Sequence, residues 1–206
     1  MNEAEKYTQQ NAEEKWKSLY NKYVAGRKGT GECLKWLEST DFFVAPASTR
    51  YHGAEPGGLA KHSVAVCEAL NSLLSVLDPL ECPWDEHRNA EQLFRSAVFV
   101  SLLHDVCKVS YYKETTRRAK DENGKWQDVR AYCVDDMLPL GHGEKSLYLI
   151  SKYFELTDEE AAAIRWHMGA FCDHDRYKEM TQAFEKYPLA LLLHQADMIA
   201  SHLWHE

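Results

Sequence analysis

No apolar run in this 206-residue chain is long enough to cross a membrane. A helical span needs roughly 20 consecutive apolar residues, and the most apolar stretch, Ser96 to Lys108, is shorter and ends in charge. The opening residues, Met1 to Tyr7, lack the apolar centre of a signal peptide, so a cytoplasmic protein is expected. The six cysteines, at 33, 67, 82, 107, 133 and 172, form no C-x-x-C pair and no regular spacing. That argues against a zinc ribbon and a disulfide framework, and suits reduced thiols. Excess positive charge is missing too: the formal net charge of -8 argues against a broad surface for duplex nucleic acid. There are no internal repeats or low-complexity segments.

With 45% hydrophobic and 27% charged residues, the composition is that of a globular protein. The length suits one domain, 1–206, with residues 1–40 as an N-terminal helical extension packed on it. The fold expected is all-α: a helical bundle with a small β-hairpin insertion at about 111–135. Helices are expected over Ala4 to Tyr23, where Trp16, Leu19, Tyr20 and Tyr23 share a stripe, and over Gly31 to Ser39 with Thr30 as N-cap. Others are expected at about Leu59–Leu77, Ala90–Val109, Gly143–Phe154, Asp158–His167 and Pro188–His202. Thr157 and Glu160 have capping-box spacing, and Pro188 suits a first helical turn. Asn123-Gly124 between β-prone flanks predicts the hairpin. The stretches 41–58 and 169–187 read as loops.

His104 and Asp105 stand at the end of the most apolar stretch. An ionised carboxylate removed from water costs several kcal/mol unless a cation or hydrogen bonds compensate it. Two readings fit. In one, Asp105 pairs with Lys108 a turn on and His104 donates to a backbone carbonyl. In the other, both hold a metal ion. Asp197 favours the second, because it lies on the apolar face of the last helix, four residues after Leu193 and three before Ala200. His62 falls on the inward stripe of Leu59, Val66, Leu70 and Leu73. Helical bundles build metal sites in this way, from polar side chains on several inward helix faces.

One His, then an adjacent His-Asp, then a distant Asp resembles the HD superfamily of metal-dependent phosphohydrolases. Gly57-Gly-Leu-Ala-Lys-His-Ser63 resembles its G-G-L-x-x-H-S/T segment, and Leu102-Leu-His-Asp-Val-Cys-Lys108 its L-x-H-D-x-G-K. Pro46 to Ala54 is similar to the lead-in of HD domains in some bacterial 3'-to-5' exoribonucleases. Matched segments span about residues 46 to 200. Cys107 departs from the pattern, since glycine is usual there. The resemblance adds His142 and His167 as ligands of an extended, two-metal version, in which Asp105 bridges the ions. A helix N-terminal position for His142 and a helix C-terminal one for His167 explain the same residues without metal.

The resemblance implies an HD-domain bundle carrying a metal-dependent phosphohydrolase. The substrate expected is a nucleotide or related small phosphoester, attacked by metal-activated water. Mixed imidazole and carboxylate ligands suit one or two divalent ions of Mn, Fe, Co, Ni or Zn. Asp105 and Lys108 are the candidate catalytic residues. Lys108, His52, Arg117 and Arg118 are the candidate substrate contacts. A solvated hairpin explains the two arginines as well, and loop packing explains His52. His194, one turn before Asp197, is a candidate for orienting a ligand. A mixed-valent di-iron oxygenase using the same six ligands, and a single-strand 3'-to-5' nuclease, are the alternatives.

Overall fold

Trp16 and Tyr20 are one helical turn apart, their rings stack at 4.8 Å, and both are fully buried. They lie on α1 (Gln9–Tyr23), the first element of a computed structural model that describes residues 9–51, 53–77, 90–171 and 174–204. The expected start of this helix, from Ala4, lies outside the described residues. α2 (Thr30–Glu38) begins one residue earlier than expected. Thr30 is not its N-cap. Gly29 holds that place with φ of 94°, a left-handed conformation that suits glycine. The Thr30 hydroxyl instead donates backwards, to the carbonyls of Arg27 and Val24 at 2.7 and 3.0 Å.

α3 (Gly58–Val76) buries Leu59, His62, Val66 and Leu70 on one stripe, as the spacing predicts. α4 (Ala90–Leu103) is buried at every residue from Ser96 onward. It stops at Leu103 rather than continuing to Val109, and the chain re-forms as one 3₁₀ turn over Val106–Lys108. Two side chains account for the break. The His104 ring takes the Ser101 carbonyl at 2.8 Å, the acceptor that the N–H of residue 105 would use in a continuing helix. The Trp16 indole N–H takes the Leu102 carbonyl at 3.2 Å, the acceptor of residue 106. The His-Asp pair therefore sits at a helix end whose last carbonyls are satisfied from outside the helix.

The hairpin forms as expected. β1 (Tyr112–Lys120) pairs antiparallel with β2 (Trp126–Val134), with Tyr112 opposite Val134 and Lys120 opposite Trp126. The Asp121 carboxylate accepts from the N–H groups of Asn123 and Lys125, both at 2.9 Å, closing the turn. Most of its residues are exposed on both faces, so it projects from the helices. Its base is tied down by the Tyr112 hydroxyl, which donates to the Ala47 carbonyl at 3.2 Å.

α5 (His142–Ser151), α6 (Asp158–Trp166) and α8 (Pro188–His202) follow the expected pattern. Thr157 and Glu160 make the reciprocal bonds of a capping box, at 3.2 and 3.1 Å. One helix is a correction: α7 (Tyr177–Lys186) lies within the stretch expected to be loop. Tyr177, Met180, Thr181 and Phe184 have helical spacing. However, only Met180 is buried, with Thr181 and Phe184 half-buried, which leaves a thin apolar stripe.

The described residues thus form a mostly helical protein with one small two-stranded sheet. A continuous apolar core joins Trp16 and Leu37 of the first two helices to Leu70, Phe99, Ile164 and Leu193. Among the described residues, no helix is long and apolar enough to cross a membrane.

Candidate metal centre

Five segments converge on one buried point. α3 supplies His62, the break after α4 supplies His104 and Asp105, and the first residue of α5 is His142. His167 caps the C-terminus of α6, and Asp197 comes from α8. Their ligand atoms form three groups, each mutually within 4.8 Å: His62, His104 and Asp105; His104, His167 and Asp197; Asp105, His142 and His167. Except for His142, which is partly exposed, all are buried.

The first reading of His104 and Asp105 is present in the contacts, and the second is left open by them. Lys108 Nζ lies 2.6 Å from Asp105 Oδ2, and His104 Nδ1 donates to a carbonyl. The ring has a second nitrogen, however. His104 Nε2 and His167 Nε2 are buried with no hydrogen-bond partner, 3.6 and 3.5 Å from Asp105. His167 repeats the arrangement of His104, with Nδ1 on the Ile164 carbonyl at 2.7 Å. A ring held through Nδ1–H by a carbonyl presents the Nε2 lone pair, which is how metal-ligating histidines are oriented. A buried polar atom without a partner costs about 1–3 kcal/mol, and these two point into a cluster of carboxylates. The donor set therefore fits a divalent cation.

The electrostatics agree. Burial pushes the His104 imidazole down to about 3, with Asp105 the largest opposing influence, so the ring is neutral and able to ligate. His142 is also lowered, by burial against its bond to Asp105. For His167 burial acts downward, but the Asp105 carboxylate, Asp197 and the Ile164 carbonyl together raise it. Asp105 and Asp197 are held below the ordinary carboxylate range. Burial opposes this in both, but Lys108 and the histidines outweigh it at Asp105 and His62 at Asp197.

The two oxygens of Asp105 face different partners. Oδ1 lies 2.7 Å from His142 Nε2 and 3.5 Å from His167 Nε2. Oδ2 lies 3.6 Å from His104 Nε2 and 3.7 Å from His62 Nε2. His62 Nε2 is also 3.0 Å from Asp197 Oδ1. Cys107 fits beside the ligands, its Sγ 3.4 Å from His142 Nδ1. Burial and the Asp105 charge push that thiol up, so it stays protonated.

A cavity of about 370 Å³ opens over His142, His167 and Asp197. Lys108 lines it. The loop before α3 and the hairpin base form walls, as the sequence suggests, and so do Met198, Ser201 and His202 of α8, which periodicity alone does not single out. Arg117 and Arg118 are not brought there. They are exposed and stand five and six residues beyond Tyr112, about 17–20 Å along the strand, with Arg118 3.9 Å from Asp128. His52 lies outside the described residues. No hydrogen bond or ion pair joins His194 to Asp197 among the described residues. Its Nδ1 bonds the backbone carbonyl of His167 at 2.6 Å, so it positions a different candidate ligand.

Comparison with protein-family models, curated proteins and solved structures finds no match.

Proposed function

We propose that this protein is a metal-dependent phosphohydrolase of the HD type, acting on a nucleotide or related small phosphoester. The observation that carries the reading is the pair of buried, partnerless Nε2 atoms of His104 and His167 aimed at Asp105. Support comes from the order of the six side chains in the sequence and from the cavity that three of them line.

His62, His104, Asp105 and Asp197 would hold one ion, and Asp105, His142 and His167 a second, with Asp105 as the bridge. When bound, such ions supply Lewis acidity, which acidifies water and draws charge from a phosphoryl oxygen. The chain's own groups do the rest. Lys108 lines the cavity, and its ammonium, held charged by Asp105 against burial, is placed to receive a phosphate oxygen as negative charge develops. His194 and the carbonyls of Ser101 and Ile164 fix the backbone and ring orientations around the cluster. A cavity near 370 Å³ suits one small molecule, at the lower end of the roughly 300–1,000 Å³ of ligand pockets. That favours a small phosphoester over a polymer.

The test is phosphate release from a panel of nucleotides and simple phosphodiesters, with the purified protein loaded in turn with Mn, Co, Ni and Mg. Release that needs metal and disappears in Asp105→Asn supports the reading. Absence of release throughout, together with oxygen consumption by iron-loaded protein, replaces it with an oxygenase.

A further inference from the structure

Fixed positive charge is scarce in the cavity wall. Among its described side chains the one lysine or arginine is Lys108, whose ammonium already lies 2.6 Å from Asp105. Histidines complete the basic side chains there, and imidazoles are not fixed cations. Arg165, two residues before His167, is paired away from the cavity, 2.5 Å from Glu144. A monophosphate carries about -1.5 to -2 charges, which Lys108 and the two proposed ions, set against Asp105 and Asp197, would balance. Additional phosphates would find no further lysine or arginine in the wall.

The rim is rich in something else. Tyr51, from the loop before α3, and Phe171, from the 3₁₀ turn after α6, both line the cavity. They leave 80% and 66% of their surface exposed. Among the described residues neither ring packs on another aromatic side chain. Leaving apolar surface in water costs about 25 cal/mol per Å², and exposed apolar surface at the mouth of a cavity marks a contact for a ligand. A flat ring recovers that cost by stacking, at about 1–3 kcal/mol per base.

We infer that the substrate carries a single phosphate joined to one flat aromatic group, as in a nucleoside monophosphate, with its phosphate at Lys108 and its ring on Tyr51 and Phe171. This rests on the phosphohydrolase reading for the turnover, but not for the grip on the ring. Tyr51 and Phe171 act as specificity residues: they select the ring-bearing ester and take no part in bond cleavage.

Metal-loaded protein is assayed on the common nucleoside 5'-monophosphates, the matching triphosphates and ribose 5-phosphate. At least one monophosphate should exceed both its triphosphate and ribose 5-phosphate at least tenfold in kcat/KM. Tyr51→Ala and Phe171→Ala should each lower the preference for that monophosphate over ribose 5-phosphate by about tenfold, through KM. Tyr51→Trp should restore it. Both side chains are exposed, so the variants should fold. Equal or better turnover of the triphosphate or of ribose 5-phosphate overturns the inference, as do alanine variants whose preference stays within twofold of wild type. Calorimetric binding of the same monophosphates to metal-free protein separates the two claims. Binding that depends on Tyr51 and Phe171 without hydrolysis under any metal sinks the hydrolase reading alone. Hydrolysis without ring preference sinks this inference alone, and neither binding nor hydrolysis sinks both.

Discussion

Lys108 Nζ and Asp105 Oδ2 form a buried ion pair at 2.6 Å, on the same carboxylate oxygen that faces His62 and His104. The ammonium is therefore the cation that compensates Asp105 when no metal is bound. Removing one partner of a buried pair costs about 3–5 kcal/mol, because the other charge is left uncompensated. Lys108→Met should thus destabilise the metal-free protein strongly. A divalent ion at Asp105 replaces the lost charge, so added Mn should recover most of the deficit. Thermal unfolding of wild type and variant, in chelator and in Mn, measures this. An equal deficit in both conditions would mean that no ion sits at Asp105.

The division of Asp105 between two histidine pairs gives a prediction of stoichiometry. Oδ1 faces His142 and His167, while Oδ2 faces His62 and His104. Metal analysis after equilibrium dialysis should find two ions in wild type and one in His142→Ala. Asp105→Asn should lose both, as the shared oxygen donor is weakened on each side. Two ions retained in His142→Ala would remove the bridging role from Asp105.

Acid should destabilise the metal-free protein partly through His104. The folded ring titrates near 3 because of burial, against about 6.5 in an unfolded chain. Between those values the unfolded chain takes up a proton that the folded one refuses, so stability falls as pH falls below about 6.5. His142 is shifted in the same direction by burial. His167, shifted up overall, contributes stability that is present below about 6.5 and lost as pH rises through its folded value. The depressed carboxyls of Asp105 and Asp197 contribute above about 4 and lose it as pH falls further. Urea unfolding of metal-free His104→Gln between pH 6 and 4.5 should show a shallower pH dependence than wild type, by up to about 1.4 kcal/mol per pH unit. Parallel curves would show that His104 takes up its proton in the folded state.

How much of this was legible in the sequence depends on where each signal lay. His62 and Asp197 stand on apolar stripes of long helices, so periodicity places them inward, and α3 and α8 do bury them. His104 and Asp105 were legible as buried, but the break in α4 was not. It depends on the Trp16 indole and the His104 ring taking carbonyls of its last turn, and Trp16 lies 86 residues away. His142 and His167 occupy helix ends, where periodicity says nothing of direction, and only resemblance to known motifs singled them out. α7 escaped because its single apolar stripe is short and interrupted by charge. Tyr51 and Phe171 carry no pattern at all, since loop residues meet around a cavity only once the helices are packed.

The approach of His142 to His167 depends on the residue that follows His142. A Cβ added at Gly143 would lie 2.1 Å from the Arg165 carbonyl oxygen, where ordinary contact begins at 3.4 Å, so α5 would have to withdraw from the end of α6 by more than an ångström. Overpacking of this kind costs about 1–3 kcal/mol, and the withdrawal separates two ligands that share Asp105 Oδ1. Gly143→Ala should therefore weaken the ion at His142 and His167 by tenfold or more, with a smaller effect on the ion at His62, His104 and Asp197. Gly31→Ala is the contrasting variant, because a Cβ there meets nothing within 4 Å; it should change stability by no more than about 0.5 kcal/mol and bind both ions as wild type does. Titration calorimetry with Mn resolves the two sites. Equal weakening of both ions in Gly143→Ala would assign that glycine to the fold as a whole and not to the second ion.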